Sequence, residues 1–417
     1  MTSRLARRLT ILSLLLATMA GCVFSVLNED LEKLDDVSHP FTGTVSTEVL
    51  QFHATVVVAL EDREAANITS FRMMSGPGVF EIRMEKSPNY FFAFGDMNKD
   101  LRFQPDEPYA WAAAGEAVIP TNGATFNVDI TIGAADQPPF PRRLVDLPLE
   151  DHLNNYVRTH VGTVSSLDNH LFSNMQGRKG LWQPFAFMED GGTGLHFLEP
   201  YDSNKIPVLF VHGINGSPQD FASLIEQLDR SSFQPWVLSY PSGLRLSWLA
   251  RGMFQFIEVL HRQYNFDELH VVAHSMGGLV SRGTLNLCSE NHACKYLRSF
   301  TSLSTPWNGV DSAQSGVKWA PTVIPVWHDL DPASEYVTTL FDTPLPNDVP
   351  FHLVFGYQQD SILATESSDG VIKLNSQLRD AAQEQAETIR GYDEGHVSIL
   401  RSKAAIGNIN AILLESR

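Results

Sequence analysis

Cysteine is scarce in this sequence, with only Cys22, Cys288 and Cys294 among 417 residues. None of them has Cys-x-x-Cys spacing, which excludes the usual zinc-ribbon and dithiol redox frameworks. Positive charge is also in short supply: 30 Lys+Arg stand against 48 Asp+Glu, a formal net charge of −18. Such a surface repels phosphate backbones over a Debye length, so nucleic acid is excluded as a partner. No apolar run reaches the length that spans a bilayer, and no internal repeat suggests a solenoid. What is present is a chain 43% hydrophobic and 19% charged. It can bury a sizeable core, and its length suits two domains better than one.

Arg4, Arg7 and Arg8 precede an apolar run from Leu9 to Ala20, the layout of a secretory signal. The run ends in Met19-Ala20-Gly21-Cys22, which resembles the lipobox of bacterial lipoproteins, with Met19 where Leu is usual. Residues 1–22 are therefore expected to be a signal peptide and lipobox, with Cys22 lipidated and the chain held at a membrane by that anchor. Val23 after the cysteine favours the outer membrane; periplasmic or secreted destinations are the alternatives, and Arg7-Arg8 leaves twin-arginine export open. In an oxidising compartment the close spacing of Cys288 and Cys294 suits a small disulfide loop; two free thiols are the alternative.

Residues 41–135 hold alternating apolar stretches, including 48–60, 79–84 and 126–132, separated by Gly, Pro, Asn and Asp, and read as a small all-β, sandwich-like domain. The run Gln137-Pro138-Pro139-Phe140-Pro141 marks a boundary. Residues 136–200 show no clear period and read as a linking segment that packs on one or both domains. From Ile206 onward, short β-branched runs alternate with helical stretches: strands at 206–211, 235–239, 269–273, 299–303 and 351–355, helices at 218–228 and 247–262, and a closing helix at 397–414. Residues 201–417 are thus expected to be an α/β domain, a mainly parallel sheet covered by helices.

The sharpest local feature is Val271-Val272-Ala273-His274-Ser275-Met276-Gly277-Gly278, an apolar strand running into a serine and then into small residues that open a helix. That is the pattern of a nucleophile elbow, in which a strained turn pushes the serine oxygen above the sheet and requires small residues two positions away on each side. Ala273 and Gly277 meet the need, Ala273 standing where Gly is more usual; the plain alternative is a serine that caps a helix. Upstream, Val211-His212-Gly213-Ile214-Asn215-Gly216 follows a strand with a Gly-rich turn. An oxyanion needs two fixed donors, and the backbone N–H groups of Ile214 and Met276 are the candidates. The chain order Ser, acid, His selects His396, the one histidine near the end of the chain, as base. Asp369 and Asp360 both follow the last strong strand and are open as the acid.

The stretch from about Ile206 to Leu414 resembles lipases and esterases of the α/β-hydrolase superfamily. The residues that carry the likeness are VHGING, YPSG at 240–243, VAHSMGGLV, LSTPWNG at 303–309 and the DGV that starts at Asp369. The set is similar to bacterial lipases and to GPI inositol-deacylase-like enzymes. The resemblance implies Ser275, Asp369 and His396 as the catalytic set, with Ile214 and Met276 at the oxyanion hole. It also implies a carboxylic-ester substrate and a mechanism that needs no cofactor. Two other functions compete: transfer of the acyl group to another acceptor by the same residues, and a surface-binding lipoprotein with a non-catalytic scaffold.

Two further features stand apart. Between Trp307 and Pro350 an insertion rich in aromatics and proline, with Trp319, Trp327 and Phe341, sits where such enzymes carry a cap; an apolar cap favours an apolar acyl group, and ordinary core is the alternative. In the N-terminal domain Asp96, Asn98, Asp100, Arg102 and Glu107 repeat the 1, 3, 5, 7, 12 spacing of a calcium loop. Leu101 replaces the usual Gly at position six, and a polar hairpin turn is the alternative to a structural calcium ion.

Overall fold

The computed structural model describes residues 23–48, 54–64, 67–74, 76–98, 100–149, 160–291, 293–346, 349–358 and 367–416. They divide into two compact units, one within Glu32–Arg158 and one drawn from Met1–Leu31 and Thr159–Arg417. The signal peptide, Cys22 and Asp360 lie outside the described residues.

The first unit is built from β1 (His39–Thr47), β2 (Ala54–Leu60), β3 (Ile68–Met74), β4 (Gly78–Met84), β5 (Tyr90–Asp96), β6 (Tyr109–Trp111) and β7 (Ile130–Ile132). They form two sheets of order β4-β1-β7 and β3-β2-β5-β6. The unbroken apolar sequences of β2 and β5 follow from burial on both faces. Val57 and Ala59, with Phe91 and Ala93, pack into a core shared with Phe41, Phe80, Ile82 and Ile130. Their alternate neighbours Val56, Val58, Phe92 and Phe94 enter a second core with Phe103, Leu144 and Leu149. Period two is therefore present, but it sorts residues between two cores rather than between core and water.

The second unit carries β8 (Val161–Val164), β9 (Gly194–Phe197), β10 (Ile206–Val211), β11 (Phe233–Ser239), β12 (Leu269–His274), β13 (Leu297–Leu303), β14 (Phe351–Tyr357) and β15 (Thr388–Asp393). They form one sheet of order β15-β14-β13-β12-β10-β11-β9-β8. Every neighbouring pair from β11 to β15 is parallel, and β9 alone runs antiparallel to its inner neighbour β11. Parallel pairing requires covering layers. Val208, Phe210, Val272, Leu303 and Val354 meet Ile406, Ile409 and Leu413 of the last helix in one of them. The parallel arrangement brings the C-terminal ends of β10, β12, β14 and β15 to one edge, where open α/β sheets hold their ligands.

The structure departs from the sequence reading at several places. Residues 136–200 contribute to both units: Leu144 and Leu149 belong to the first unit's core, while β8 and β9, for which no strands were expected, extend the second unit's sheet. Four-residue strands are too short to display a period, which is why they escaped detection. Of the strand expected over 48–60, Ala54–Leu60 is a strand and 49–53 lie outside the described residues, and the one expected over 126–132 is confined to Ile130–Ile132. The closing helix starts at Lys403, because the Ser402 side chain caps it by accepting from the Ala405 N–H; Ser398–Arg401 form a separate 3-10 turn. Residues 23–37, for which no element was expected, are helical.

Candidate active site

Ser275 follows β12 and precedes the helix Met276–Glu290 with φ 54° and ψ −130°. A non-glycine residue held there stores roughly 1–3 kcal/mol of backbone strain, which the surroundings must offset. They do so through a hydrogen bond from the Ser275 N–H to the Leu303 carbonyl (2.8 Å) and by close packing of the turn. A Cβ at Gly277 would come within 2.3 Å of the Val211 carbonyl oxygen, and one at Gly278 within 2.0 Å of Thr305 Oγ1. The small residues of the motif are thus required by contact with β10 and with the turn after β13.

His396 follows β15 in a loop that returns over the sheet. Its Nε2 lies 2.9 Å from Ser275 Oγ, and its Nδ1 lies 2.7 Å from Asp369 Oδ2. The other oxygen of Asp369 accepts the N–H groups of Val371 (3.0 Å) and Ile372 (2.7 Å). Gly370, at φ 91°, supplies the turn that makes this possible. Burial opposes ionisation of Asp369, but the hydrogen bond and charge of His396 and the two amides outweigh it and hold the carboxyl below its ordinary range. Gln377, itself buried, braces the loop by donating to the Gly356 and Ile372 carbonyls and accepting from the Gly356 N–H. The three residues expected from the sequence are therefore brought into one hydrogen-bonded line.

The turn after β10 runs directly beside the serine. A Cβ on Gly213 would lie 2.8 Å from that of Ser275. Asn215 adopts φ 59° and its N–H is fixed by Ser242 Oγ at 3.0 Å. Met276 opens its helix, so its N–H has no intrahelical acceptor and stands at the positive end of the helix dipole. His212 stacks on Tyr240 with ring centroids 4.1 Å apart, and the Tyr240 hydroxyl donates to the His212 carbonyl. Burial lowers the His212 pKa to about 4, so this imidazole is a neutral packing element beside the turn.

The turn after β10 is packed by a helix the sequence did not announce. In the helix Asn174–Trp182, a Cβ at Gly177 would meet the Gly216 carbonyl at 2.3 Å, which places that helix against the turn. Asp30, on the N-terminal helix, accepts the N–H groups of Phe185 (2.8 Å) and Ala186 (2.9 Å) and so caps the next helix, Pro184–Glu189. The aromatic residues of the insertion divide. Trp307 and Phe341 are core, edge to face at 5.3 Å, whereas Trp319 is 75% exposed. Trp327 covers Gly316 and meets Trp182 at 6.4 Å. Arg245 grips Asp329 with two guanidinium nitrogens (2.6 and 2.9 Å), pinning this part of the insertion to the start of the helix Leu246–Tyr264.

Near the C-terminal end of the helix Met276–Glu290, Cys288 is joined to Cys294 in a disulfide. In the first unit Asp96, Asn98, Asp100 and Glu107 gather in one loop that closes largely on its own amides. Asp96 accepts from the N–H groups of Asn98 and Leu101, and Glu107 from those of Met97 (2.7 Å) and Gln104 (3.0 Å). Asp100 accepts from the N–H of Arg102, whose guanidinium turns instead to the Asp146 carbonyl. Leu101 takes φ 56° at the position where glycine was expected. Burial, reinforced by Asp96 and Asp100, pushes the Glu107 carboxyl up despite its two amide donors. Among the described residues no three or more His, Cys, Asp or Glu side chains form a group able to hold a metal ion by themselves. A calcium ion here would need the Asn98 amide and the Arg102 carbonyl oxygens as well.

Residues 202–339 match a protein family described as "Putative serine esterase (DUF676)". That span includes Ser275 and the Gly213–Gly216 turn and ends before Asp369 and His396. No curated protein sequence matches the chain. Among solved structures, the lipase BlEst2 of Bacillus licheniformis in its mature form is 18% identical, over 52% of this chain and 97% of that one, with a TM-score of 0.43. The product of gene lin2722 from Listeria innocua is 13% identical, over 51% and 95%, with a TM-score of 0.39. Est1E from Butyrivibrio proteoclasticus is 13% identical, over 53% and 92%, with a TM-score of 0.38. The second unit is a mainly parallel eight-stranded sheet with helices packed on it, and within it residues 202–339 are similar to the family described above.

Proposed function

We propose that the chain is a serine carboxylic-ester hydrolase of the lipase or esterase type, acting through an acyl-enzyme at Ser275. The observation that carries the reading is the unbroken line from Ser275 Oγ through His396 to Asp369. His396 Nε2 takes the serine proton as Oγ attacks the ester carbonyl, and Asp369 fixes the tautomer and stabilises the imidazolium. The N–H groups of Ile214 and Met276 receive the charge that develops on the carbonyl oxygen. His396 returns the proton to the departing alcohol, and water, activated in the same way, then releases the acid. None of these steps calls for a cofactor. Val371 and Val397, exposed by 62% and 52% beside the acid and the base, suit a substrate with an apolar acyl group. Purified protein is assayed against esters of rising acyl length, with and without an added alcohol acceptor. Ser275→Ala is expected to lose turnover with every ester. Preferential acyl transfer to the alcohol in excess water would instead reassign the enzyme as an acyltransferase.

Two further readings concern location and metal. The basic, apolar and Cys22-terminated start of the chain supports export and lipid anchoring at the outer membrane, although among the described residues no helix is long and apolar enough to cross a membrane. Fatty-acid labelling that survives Cys22→Ser would contradict it. Structural calcium in the 96–107 loop is supported by two buried carboxylates, Asp96 and Glu107, gathered in one loop with Asp100.

A further inference from the structure

His274, the residue before the nucleophile, has no part in the steps above, yet it is 4% exposed and reaches across the site. Its Nε2 lies 2.8 Å from the backbone carbonyl oxygen of His396, a residue 122 positions away. A carbonyl can only accept, so Nε2 carries the proton and donates. The remaining polar groups of His396 are also engaged: its N–H donates to the Asp369 carbonyl at 2.8 Å, Nδ1 faces Asp369 and Nε2 faces Ser275. His274 therefore supplies the fourth attachment of the base. It does so from the last position of β12, so the strand that aims Ser275 also holds the loop that carries His396.

Resting on the hydrolase reading, we propose that His274 is a positioning residue whose imidazole ties the base loop to the nucleophile strand. Its charge state follows from its surroundings. Burial is the main cause that lowers its pKa, to about 3, and His396 and His212 act in the same direction against a smaller opposing pull from Asp369 and the His396 carbonyl. Neutrality has a purpose, because the two rings lie only 4.8 Å apart. A second cation at that distance would oppose the imidazolium that must form on His396 in the transition state. The site thus keeps two histidines in contact with one allowed to gain a proton and the other used only as a donor.

The test compares His274→Gln, whose side-chain amide can reach the same carbonyl, with His274→Leu, which cannot donate. kcat, KM, the pH–rate profile and the melting temperature are measured for both variants, for wild type and for Ser275→Ala. The expected results are a fall of about 10- to 100-fold in kcat for His274→Leu with KM within about twofold, and most of kcat retained in His274→Gln. The acidic limb of the profile is expected to be the same in wild type and His274→Gln. If both variants lose kcat equally while folded, or if His274→Gln moves the acidic limb, the positioning role is wrong and the His274 proton takes part in turnover. If His274→Leu turns over like wild type, the attachment has no effect and the inference is overturned. Should His274→Leu fail to fold, the His274→Gln pair of readouts decides. Retained activity in Ser275→Ala would instead sink the hydrolase reading itself.

Discussion

Two loops of this molecule hold a buried carboxylate in the same way and shift its pKa in opposite directions. In the second unit, Asp369 accepts two backbone N–H groups from the turn it heads. In the first, Glu107 accepts two N–H groups from the loop it closes. Asp369 also faces the imidazole of His396, and its carboxyl is held below the ordinary range. Glu107 has Asp96 and Asp100 for neighbours, and its carboxyl is pushed up. Two amide donors do not by themselves overcome desolvation; the sign of the shift is decided by whether a cation or further anions complete the surroundings.

Removing the charge at the paired site should have the largest effect. Asp369→Asn is expected to lower kcat by about two to four orders of magnitude with little change in KM, because the base loses its oriented tautomer. Steady-state kinetics on a short-chain ester measures this. The 96–107 loop should respond to a supplied cation: calcium at about a hundred times its dissociation constant adds roughly 2.7 kcal/mol of stability to the first unit. Calorimetry should show that transition rise by several degrees and fall back with a chelator. No shift in calcium would leave the loop as a polar turn closed by its own amides.

The pH dependence of stability should differ in sign between the two sites. Asp369 contributes stability that is present above its ordinary value of 3.8 and is lost as pH falls through its lower folded value. Glu107 does the reverse. As pH rises from its ordinary value of 4.5 to its higher folded value, the unfolded chain releases the proton first and stability declines. Without calcium, Glu107→Gln should remove that decline, a change of a few degrees or less in the slope of melting temperature against pH. A decline that persists in the variant would place its origin elsewhere. The smallest effect is expected at Asp360, where Asn should leave kcat within about twofold; a loss as large as that predicted for Asp369→Asn would reassign the acid.

The comparison also shows what a sequence can reveal. Ser275 was legible because the small residues around it follow from local sterics and His396 from its place in the chain order, whereas Asp369 was preferred to Asp360 by the resemblance, with the Gly370 turn beside it in support. The spacing of Asp96, Asn98, Asp100 and Glu107 was equally legible, but spacing alone does not say whether carboxylates will turn to a metal or to their own amides. Asp30, Gly177 and Arg245–Asp329 were not found, since each acts through a partner tens of residues away or more and no local pattern marks the pair. β8 and β9 were missed for the opposite reason: each is so short that burial of all or part of it leaves no alternation to detect. His274 was quoted within the motif but given no role, because its contact with His396 exists only once the last loop has folded back.

The central claim is that Ser275 is the nucleophile. It is tested most directly by treating wild-type and Ser275→Ala protein with a fluorophosphonate and locating the adduct by intact mass and peptide mapping. The account predicts a single adduct per chain in the wild type, on the peptide that contains Ser275, and none in a folded Ser275→Ala. An adduct on another residue, or equal labelling of the variant, would contradict it.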